Sequence, residues 1–112
     1  MSKYGNIPQR VDGYRFPSKK EARRYQDLKL LQHAGEIRGL KCHTRWPMVI
    51  NGTKVCEYED DFQYEEKAPQ IEPKLLPVWQ PVVEDSKGAL TAAYKIKRKL
   101  MLAIYGITIR ET

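Results

Sequence analysis

The chain has little cysteine, no long apolar run and no apolar stretch near its first residue. Its two cysteines, Cys42 and Cys56, lie 14 residues apart. Only His33 and His43 lie near them, whereas a structural zinc site needs four ligands in paired spacing, so we expect two reduced thiols. Apolar runs of a few residues exclude a bilayer-spanning segment, and MSKYGNIPQR lacks the core of a secretory signal. We therefore expect a cytoplasmic protein with no membrane partner.

Positive charge is in excess in a composition that is otherwise globular. The 112 residues include 20 Lys and Arg against 14 Asp and Glu, which gives a formal net charge of +6 and a pI near 9.4. With 41% hydrophobic residues we expect one domain over residues 1–112, in which residues 1–17 form an N-terminal arm or short strand with a turn at Asp12-Gly13. A small basic protein often binds a polyanion, and nucleic acid is the commonest one in the cytosol. Solubility alone explains such a charge equally well.

Two segments have the periodicity of amphipathic helices. In the first, Ser18 and Glu21 form a capping box and Gly35 is a natural stop, which predicts a helix over residues 19–34. The second, ALTAAYKIKRKLMLAIYG, predicts a helix that ends at Gly106. The predicted apolar stripes are Ala22, Tyr25, Leu28 and Leu31 in the first helix, and Ala93, Ile96, Leu100 and Ile104 in the second.

The segments between these helices predict strands. TRWPMVI and TKVCEYEDDFQY flank Asn51-Gly52, the strongest two-residue hairpin signal. Residues 65–77 contain three prolines and predict a loop or a loose extension of this hairpin. VWQPVVEDSK predicts a third strand with a bulge or an open edge at Pro81, and ITIRE predicts a short last strand. The order helix, three strands, helix, strand predicts an α/β domain with helices covering a mixed sheet.

Charged side chains end the third predicted strand, where burial is costly unless it is compensated. Side chains alternate along a strand, so Asp85 and Lys87 share one face and Glu84 lies on the other. The hairpin supplies Asp60 and Asp61, and neighbouring strands lie about 5 Å apart. Two carboxylates that close repel each other unless a cation lies between them, which favours a Mg²⁺ site. Solvated acids at strand ends explain the same residues without a metal.

Three motifs, in order, give the chain a resemblance to the PD-(D/E)XK nucleases. FPSKKEARRY is similar to the F-x-S-x-x-E signature of the first helix in that family, and an acid followed by an acid-x-lysine looks like its catalytic core. The likeness covers the chain from Val11 to Glu111 and is nearest to small phage-encoded members. It implies a restriction-endonuclease-like αβββαβ core. The matching positions are Phe16, Ser18, Glu21, Asp61, Asp85, Ser86 and Lys87.

The resemblance implies hydrolysis of DNA phosphodiester bonds with Mg²⁺, for which Mn²⁺ substitutes. In such a site Asp61 and Asp85, with the backbone carbonyl of Ser86, hold one or two metal ions. Glu21 binds the second ion or orients its waters, and Lys87 positions the attacking water. The sequence leaves open which acid of each doublet is the ligand, and whether Glu21 is a ligand or only a helix cap. No nucleophile–histidine pair indicates covalent catalysis, and we expect no small-molecule cofactor.

Basic side chains on both helices are the candidate DNA contacts. Phosphate contacts do not read sequence, which favours structure-selective cleavage of branched DNA such as a Holliday junction. Two symmetric cuts imply a C2 homodimer, for which Leu75, Leu76, Val78 and Trp79 offer an apolar surface, although Val78 and Trp79 fit a core equally well. A solvated helix face explains the charges without DNA. The candidate contacts are Lys19, Lys20, Arg23, Arg24, Lys95, Lys97, Arg98 and Lys99.

Two other functions fit the same residues. One is a nicking or end-processing nuclease that acts on flap or duplex DNA. The other is a non-catalytic basic DNA-binding protein on the same fold. The intact set of three acids and a lysine argues against the second, because a degenerate site is expected to lose one of these residues.

Overall fold

The computed structural model of the chain describes residues 7–70, 72, 76–86 and 90–112. Lys87, a predicted catalytic residue, and Leu75, in the predicted dimer surface, lie outside these residues. The strands are β1 (Gln9–Val11), β2 (Tyr14–Phe16), β3 (Ile37–Cys42), β4 (Arg45–Ile50), β5 (Thr53–Glu59), β6 (Phe62–Lys67), β7 (Trp79–Asp85) and β8 (Arg110–Glu111). The helices are α1 (Lys19–His33) and α2 (Ala92–Leu100), and a π-helical turn, Met101–Tyr105, continues α2.

The first helix follows the local signals of the sequence. Ser18 caps α1 by accepting a hydrogen bond from the backbone N–H of Glu21 at 3.2 Å, and Gly35 follows the helix with a φ of 80°. The predicted helix over residues 19–34 is thus confirmed to within one residue. The first three members of its predicted stripe are buried, whereas the last, Leu31, is 39% exposed.

The N-terminal arm is a hairpin of β1 and β2 that packs on α1. Asp12 and Gly13 have positive φ angles of 52° and 82°, which suit a two-residue hairpin turn. Tyr25 donates its hydroxyl to the Asp12 carboxylate at 2.9 Å, and Lys29 forms an ion pair with the same group. The predicted turn is confirmed, and the arm is attached to the helix that carries Glu21.

The β4–β5 hairpin confirms the strongest turn signal and corrects the strand that follows it. Asn51 and Gly52 have φ angles of 50° and 78°, as a type I′ turn requires. The segment TKVCEYEDDFQY, predicted as one strand, is two strands, because β5 ends before Asp60 and β6 begins after Asp61. These two acids lead the chain from the hairpin into the main sheet.

The main sheet is mixed and has the strand order β3-β6-β7-β8. β6 is antiparallel to β3 and β7, and β8 is parallel to β7. β3 was not expected from the sequence, because IRGLKC contains a central glycine; Gly39, with a φ of 67°, lies at a shift in the β3–β6 register. The three sheet strands between the helices are therefore β3, β6 and β7, and β4–β5 is a separate hairpin.

The proline-rich segment begins later than predicted. Residues 65–67 belong to β6 rather than to a loop, since they pair with β7. Pro81 lies inside β7, and β8 pairs only with Glu84 and Asp85, so within the described residues the side of Pro81 away from β6 carries no strand. The predicted open edge at this proline is confirmed.

The main sheet separates two apolar cores. On one face, Val82 packs with Phe62 and Tyr64 beneath α1. On the other face, Val83 packs with Tyr58 of the hairpin and Met101 of the π-helical turn. The alternation predicted for the end of β7 is confirmed, because its two valines lie in different cores.

The apolar stripe predicted for the second helix is wrong except at Leu100, which is partly buried against the second core. The buried side chains are Tyr94 and Met101, two turns apart, whereas Ile96 is 59% exposed and Ile104 is 36% exposed. The two large side chains fill the second core, and the π-helical turn changes the phase of the helix after Leu100. Packing, rather than periodicity, thus sets the face that α2 buries.

The architecture is α/β, with a mixed four-stranded sheet and two helices, as predicted. No helix in the described part of the chain has the length and apolar character needed to cross a membrane.

Candidate functional site

Asp61 lies in the connection between β5 and β6, against the end of β7. Its Oδ2 atom accepts hydrogen bonds from the backbone N–H and the hydroxyl of Ser86, at 2.7 and 2.8 Å. Its own N–H donates to the carbonyl of Glu84 at 3.1 Å. The two strand ends meet because Phe62 pairs with Glu84 in the β6–β7 register. The structure therefore brings together two of the predicted ligands, Asp61 and Ser86.

Asp85 ends β7 and faces the core that contains Met101. It is 1% exposed, and its Oδ2 atom accepts a hydrogen bond from the hydroxyl of Tyr58 at 2.6 Å. Burial raises the pKa of Tyr58 above its ordinary value, and this hydrogen bond makes a smaller contribution in the same direction. Asp85 is thus a buried carboxylate stabilised by a phenol that keeps its proton at neutral pH.

Glu84 lies on the opposite face of β7 and is fully buried. Arg24 binds both carboxylate oxygens, with Nε at 3.0 Å from Oε1 and Nη2 at 2.7 Å from Oε2. The hydroxyl of Tyr64 also donates to Oε2. A bidentate pair of this kind satisfies both oxygens and attaches the strand to α1. Of the acid doublet that the sequence left open, Glu84 is the member that carries an ion pair to α1.

Asp60 is the buried member of the other doublet, at 1% exposure. Its Oδ1 accepts a hydrogen bond from the backbone N–H of Thr44, and its Oδ2 accepts one from Nε1 of Trp46, both at 2.9 Å. Burial raises the pKa of Asp60 to about 6 against the effect of these hydrogen bonds, and the charges of Asp61 and Asp85 add to the rise. Both oxygens of Asp60 thus bind protein donors.

Glu21, in the first turn of α1, lines two cavities. The larger cavity, of about 500 Å³, is also lined by Asp60 and Asp61, and the smaller cavity, of about 310 Å³, is also lined by Ser86. Burial, and to a smaller extent the charges of these three acids, raise the pKa of the Cys42 thiol to about 12. All three acids therefore lie near this thiol. Because Ser86 also binds Asp61, the helix, the β5–β6 connection and the end of β7 meet at this point.

The predicted cations of the first helix share the smaller cavity. Lys20 extends to the backbone carbonyl of Thr112 at 3.4 Å, and Arg24 is fixed to Glu84. Asp27 is the acid of this cavity besides Glu21. The four α1 cations that line it are Lys19, Lys20, Arg23 and Arg24.

The predicted cations of the second helix lie elsewhere. Lys95 and Lys99 are exposed, Lys97 is half-buried, and Arg98 binds Glu111 at 2.6 Å. None of these cations lines either of the two cavities at Glu21. Since α1 and α2 cover opposite faces of the sheet, the structure does not bring the two sets of cations together.

The acids form one neighbourhood without forming a closed ligand set. Within the described residues, no three His, Cys, Asp or Glu side chains are grouped closely enough to hold a metal ion. A cation would compete with the hydrogen bonds from Ser86 to Asp61 and from Tyr58 to Asp85. The donor types do fit Mg²⁺, which prefers carboxylate and carbonyl oxygens, and neighbouring buried acids favour a bound cation.

Sequence reasoning missed several polar residues around these acids. Tyr58 and Tyr64 donate to the β7 carboxylates from neighbouring strands, and only the strand register identifies them. Trp46 binds Asp60 from β4. His43 lines the larger cavity with a φ of 57°, and no local pattern in the sequence marks it.

Comparisons with known proteins give one family. No curated protein and no solved structure matches the chain. The family described as Protein of unknown function (DUF1064) matches residues 1–109, which include every acid of the two doublets and Glu21. The chain therefore belongs to the DUF1064 family.

Proposed function

We propose that the protein is a Mg²⁺-dependent endonuclease that hydrolyses DNA phosphodiester bonds. The observation that carries the proposal is the meeting point at the end of β7, where Ser86 binds Asp61 and Glu21 lines both adjoining cavities. Acids converge there from three elements, beside a cavity lined by four cations. Phosphodiester hydrolysis uses this combination, because a metal needs carboxylates and phosphate oxygens attract cations.

The order of the elements supports a restriction-endonuclease-like core. Without the β1–β2 and β4–β5 hairpins, the chain reads α1, β3, β6, β7, α2, β8, which is the αβββαβ order of the PD-(D/E)XK nucleases that the sequence resembles. Asp61 then precedes the second core strand and Asp85 ends the third, so the two acids belong to neighbouring strands, as the resemblance implies. The β4–β5 hairpin is an insertion between the first two core strands, β3 and β6.

The proposal assigns a role to each predicted site residue. Asp61 and Asp85, with the carbonyl of Ser86, would hold one or two Mg²⁺, and Glu21 would bind the second ion or orient its waters; Mn²⁺ would substitute. Bound metal supplies a water of lowered pKa and stabilises charge on the leaving oxygen. Ser86 fixes the carboxylate of Asp61 through two hydrogen bonds. Lys87 positions the attacking water, as the resemblance implies.

Branched DNA is the proposed substrate, and a Holliday junction is the leading candidate. The cations on α1 and α2 lie on opposite faces of the sheet, so together they offer phosphate contacts over a broad surface. A C2 homodimer would supply the two symmetric cuts. Leu76 and Val78 of the predicted dimer surface are 86% and 65% exposed. Trp79 instead packs against Arg38, whose guanidinium carbon lies 4.3 Å from the centre of the indole ring.

A non-catalytic DNA-binding protein is the second candidate. The observation that favours it is that Asp61 and Asp85 already bind protein donors, and no three described acids are grouped as metal ligands. It predicts binding that is unaffected by a chelator and no Mg²⁺-dependent nicking. A nicking or end-processing nuclease differs only in its DNA substrate.

The deciding experiment compares cleavage by the wild-type protein and by Asp85→Asn. Labelled four-way junctions and linear duplexes of matched sequence are incubated with Mg²⁺ or with EDTA, and junction binding is measured separately. We expect Mg²⁺-dependent cleavage of the junction by the wild type. The asparagine still accepts the Tyr58 hydrogen bond but loses the charge, so cleavage should fall by at least about 100-fold while junction binding is retained.

Tyr58→Phe is the matched control, because it removes the hydrogen bond to Asp85 and keeps the carboxylate. It should retain most of the cleavage activity. Cleavage retained by Asp85→Asn would refute the site. Equal rates on the junction and the duplex would refute junction selectivity, and wild-type binding without any cleavage would establish the second candidate.

A further inference from the structure

Glu84 is a buried charge that the proposed metal site does not use. It is fully buried beside α1, whereas Asp85 faces the opposite core. A buried ion pair often contributes little net stability compared with apolar side chains of similar size. An ion pair at this position therefore calls for a role besides stability.

Arg24 is the partner of Glu84 and reaches out of the core. Its side chain is 34% exposed, and it lines the smaller cavity with Lys19, Lys20 and Arg23. Its two hydrogen bonds to Glu84 and one with Tyr64 use three of the five guanidinium N–H groups, so two others remain for further acceptors. The guanidinium is thus held by buried groups of the protein, and the same residue lines the cavity.

The Glu84 carboxylate is itself held in place by a second group. Tyr64 donates its hydroxyl to Oε2 of Glu84, and the same hydroxyl accepts a hydrogen bond from Arg110 at 3.4 Å. Arg110 also binds both oxygens of Glu66, at 3.1 and 2.7 Å. This network ties β6, β7 and β8 together, so the acceptor that orients Arg24 is rigid.

The smaller cavity adjoins the proposed cleavage site. Glu21 and Ser86 line it, and Ser86 binds Asp61. Arg24 is balanced by Glu84, and the other three cations of the cavity outnumber the carboxylates of Glu21 and Asp27 by one, which leaves a small positive excess that favours anions. A guanidinium in a fixed orientation suits phosphate, whose oxygens accept two parallel N–H bonds.

We propose that Glu84 is a positioning residue that holds Arg24 as a fixed contact for a backbone phosphate of nucleic acid, bound in the α1 cavity next to Asp61 and Ser86. Arg24 binds the phosphate, and Glu84 acts only through Arg24. The inference rests on the proposed function in taking nucleic acid as the ligand. It does not require that the protein cleaves it.

The first test compares Arg24→Lys with Arg45→Lys in binding a fluorescent four-way DNA junction in EDTA. Both substitutions keep the charge, but Arg45 lies in exposed ion pairs on the β4–β5 hairpin and lines neither cavity at Glu21, whereas Arg24 has a buried carboxylate to orient it. We expect Arg24→Lys to weaken binding at least about fivefold, because a lysine lacks the planar fork, and Arg45→Lys to change it less than about twofold. Equal effects of the two substitutions would overturn the inference.

The second test uses the sign of the effect of Glu84→Gln. If Glu84 only added negative charge near the DNA, its removal would tighten binding and steepen the dependence on salt. If Glu84 positions Arg24, binding weakens although a negative charge has been removed. The phosphate contact made by Arg24 is also weakened, so binding depends less on salt. Since one phosphate contact accounts for about a 3.5-fold loss of affinity between about 50 and about 200 mM salt, the total loss over this range should be smaller by about that factor. Tighter binding by Glu84→Gln would overturn the proposal.

Thermal melting shows whether each variant is folded at the assay temperature. If Glu84→Gln is not, Tyr64→Phe replaces it, since this variant keeps the charge of Glu84 and removes only the hydrogen bonds of the Tyr64 hydroxyl, to Glu84 and from Arg110. It should weaken binding in the same direction and by less; unchanged binding would count against the proposal. All of these measurements are made without metal, so a failure of the nuclease proposal, seen as absent cleavage with Mg²⁺, leaves their outcome readable.

Discussion

At the β5–β6 connection, Asp60 is held by the backbone N–H of Thr44 and the indole N–H of Trp46, whereas at the end of β7 Glu84 is held by a guanidinium and a phenol. Both acids are buried and stand directly before the acid that we assign to the metal. The neutral donors of the first region leave the pKa of Asp60 raised to about 6. The second region instead has a cation, Arg24, that also lines a cavity. The first arrangement joins strands, and the second also places a cation at that cavity.

The largest expected effect separates the two acids of the β5–β6 connection. Asp61→Asn should lower Mg²⁺-dependent cleavage by at least about 100-fold, because it removes a proposed metal ligand. Asp60→Asn should keep cleavage within about tenfold of wild type, since Asp60 acts on the backbone rather than on the metal. Gel assays on a labelled junction measure both. A greater loss with Asp60→Asn would reverse the assignment within this doublet.

The next effect breaks the pair at the end of β7. Arg24→Ala leaves the fully buried Glu84 without its cation and should lower the free energy of unfolding by about 3 kcal/mol. Arg23→Ala, on the same helix, should change it by less than about 0.5 kcal/mol. Urea denaturation followed by circular dichroism measures both values. Equal, small losses would show that the ion pair contributes nothing to stability.

A smaller effect tests the neutral donors of Asp60. An asparagine at position 60 has one acceptor oxygen, so either the N–H of Thr44 or the indole N–H of Trp46 loses its partner. Asp60→Asn should therefore lower the free energy of unfolding by about 1–2 kcal/mol. The same denaturation assay measures this loss, and a gain in stability would contradict the assigned hydrogen bonds.

The smallest effect concerns the ion pair between Glu66 and Arg110, which belongs to the hydrogen-bond network around Tyr64. The hydrogen bond from Arg110 lowers the pKa of Glu66, so this pair stabilises the fold above the ordinary pKa of a glutamate and loses its effect as pH falls through the lowered value. Glu66→Gln should remove at most about 1 kcal/mol at neutral pH, since the side chain of Arg110 is 45% exposed. Denaturation at pH 7 and at acid pH should show that the difference between the wild type and the variant shrinks at acid pH.

The fold was predictable where local chemistry decides it. Ser18 begins α1 through a side-chain hydrogen bond, and Asn51-Gly52 closes the β4–β5 hairpin because both residues accept a positive φ. These signals act within a few residues and need no tertiary contact. The failures are tertiary: β3 contains Gly39 and forms because β6 pairs with it, and α2 buries Tyr94 rather than Ile96 to fill a core.

The candidate site was predictable in part for the same reason. Alternation along β7 correctly separates Glu84 from Asp85, and the register of β6 brings Asp61 to Ser86. No local pattern states which acid of a doublet receives donors from other elements. Arg24 lies 60 residues from Glu84, so only the assembled sheet and helix identify their pair. The position of Lys87 lies outside the described residues and stays a prediction.

The hydrogen bond between Trp46 and Asp60 has a practical consequence for spectroscopy. The chain has two tryptophans, so a Trp79→Phe variant retains a single indole, whose N–H lies 2.9 Å from a carboxylate of the acid cluster. Indole emission shifts when a charge arrives nearby. Titrating this variant with Mg²⁺, Mn²⁺ or DNA would thus report the loading of the cluster optically, in an intact protein and before any bond is cut.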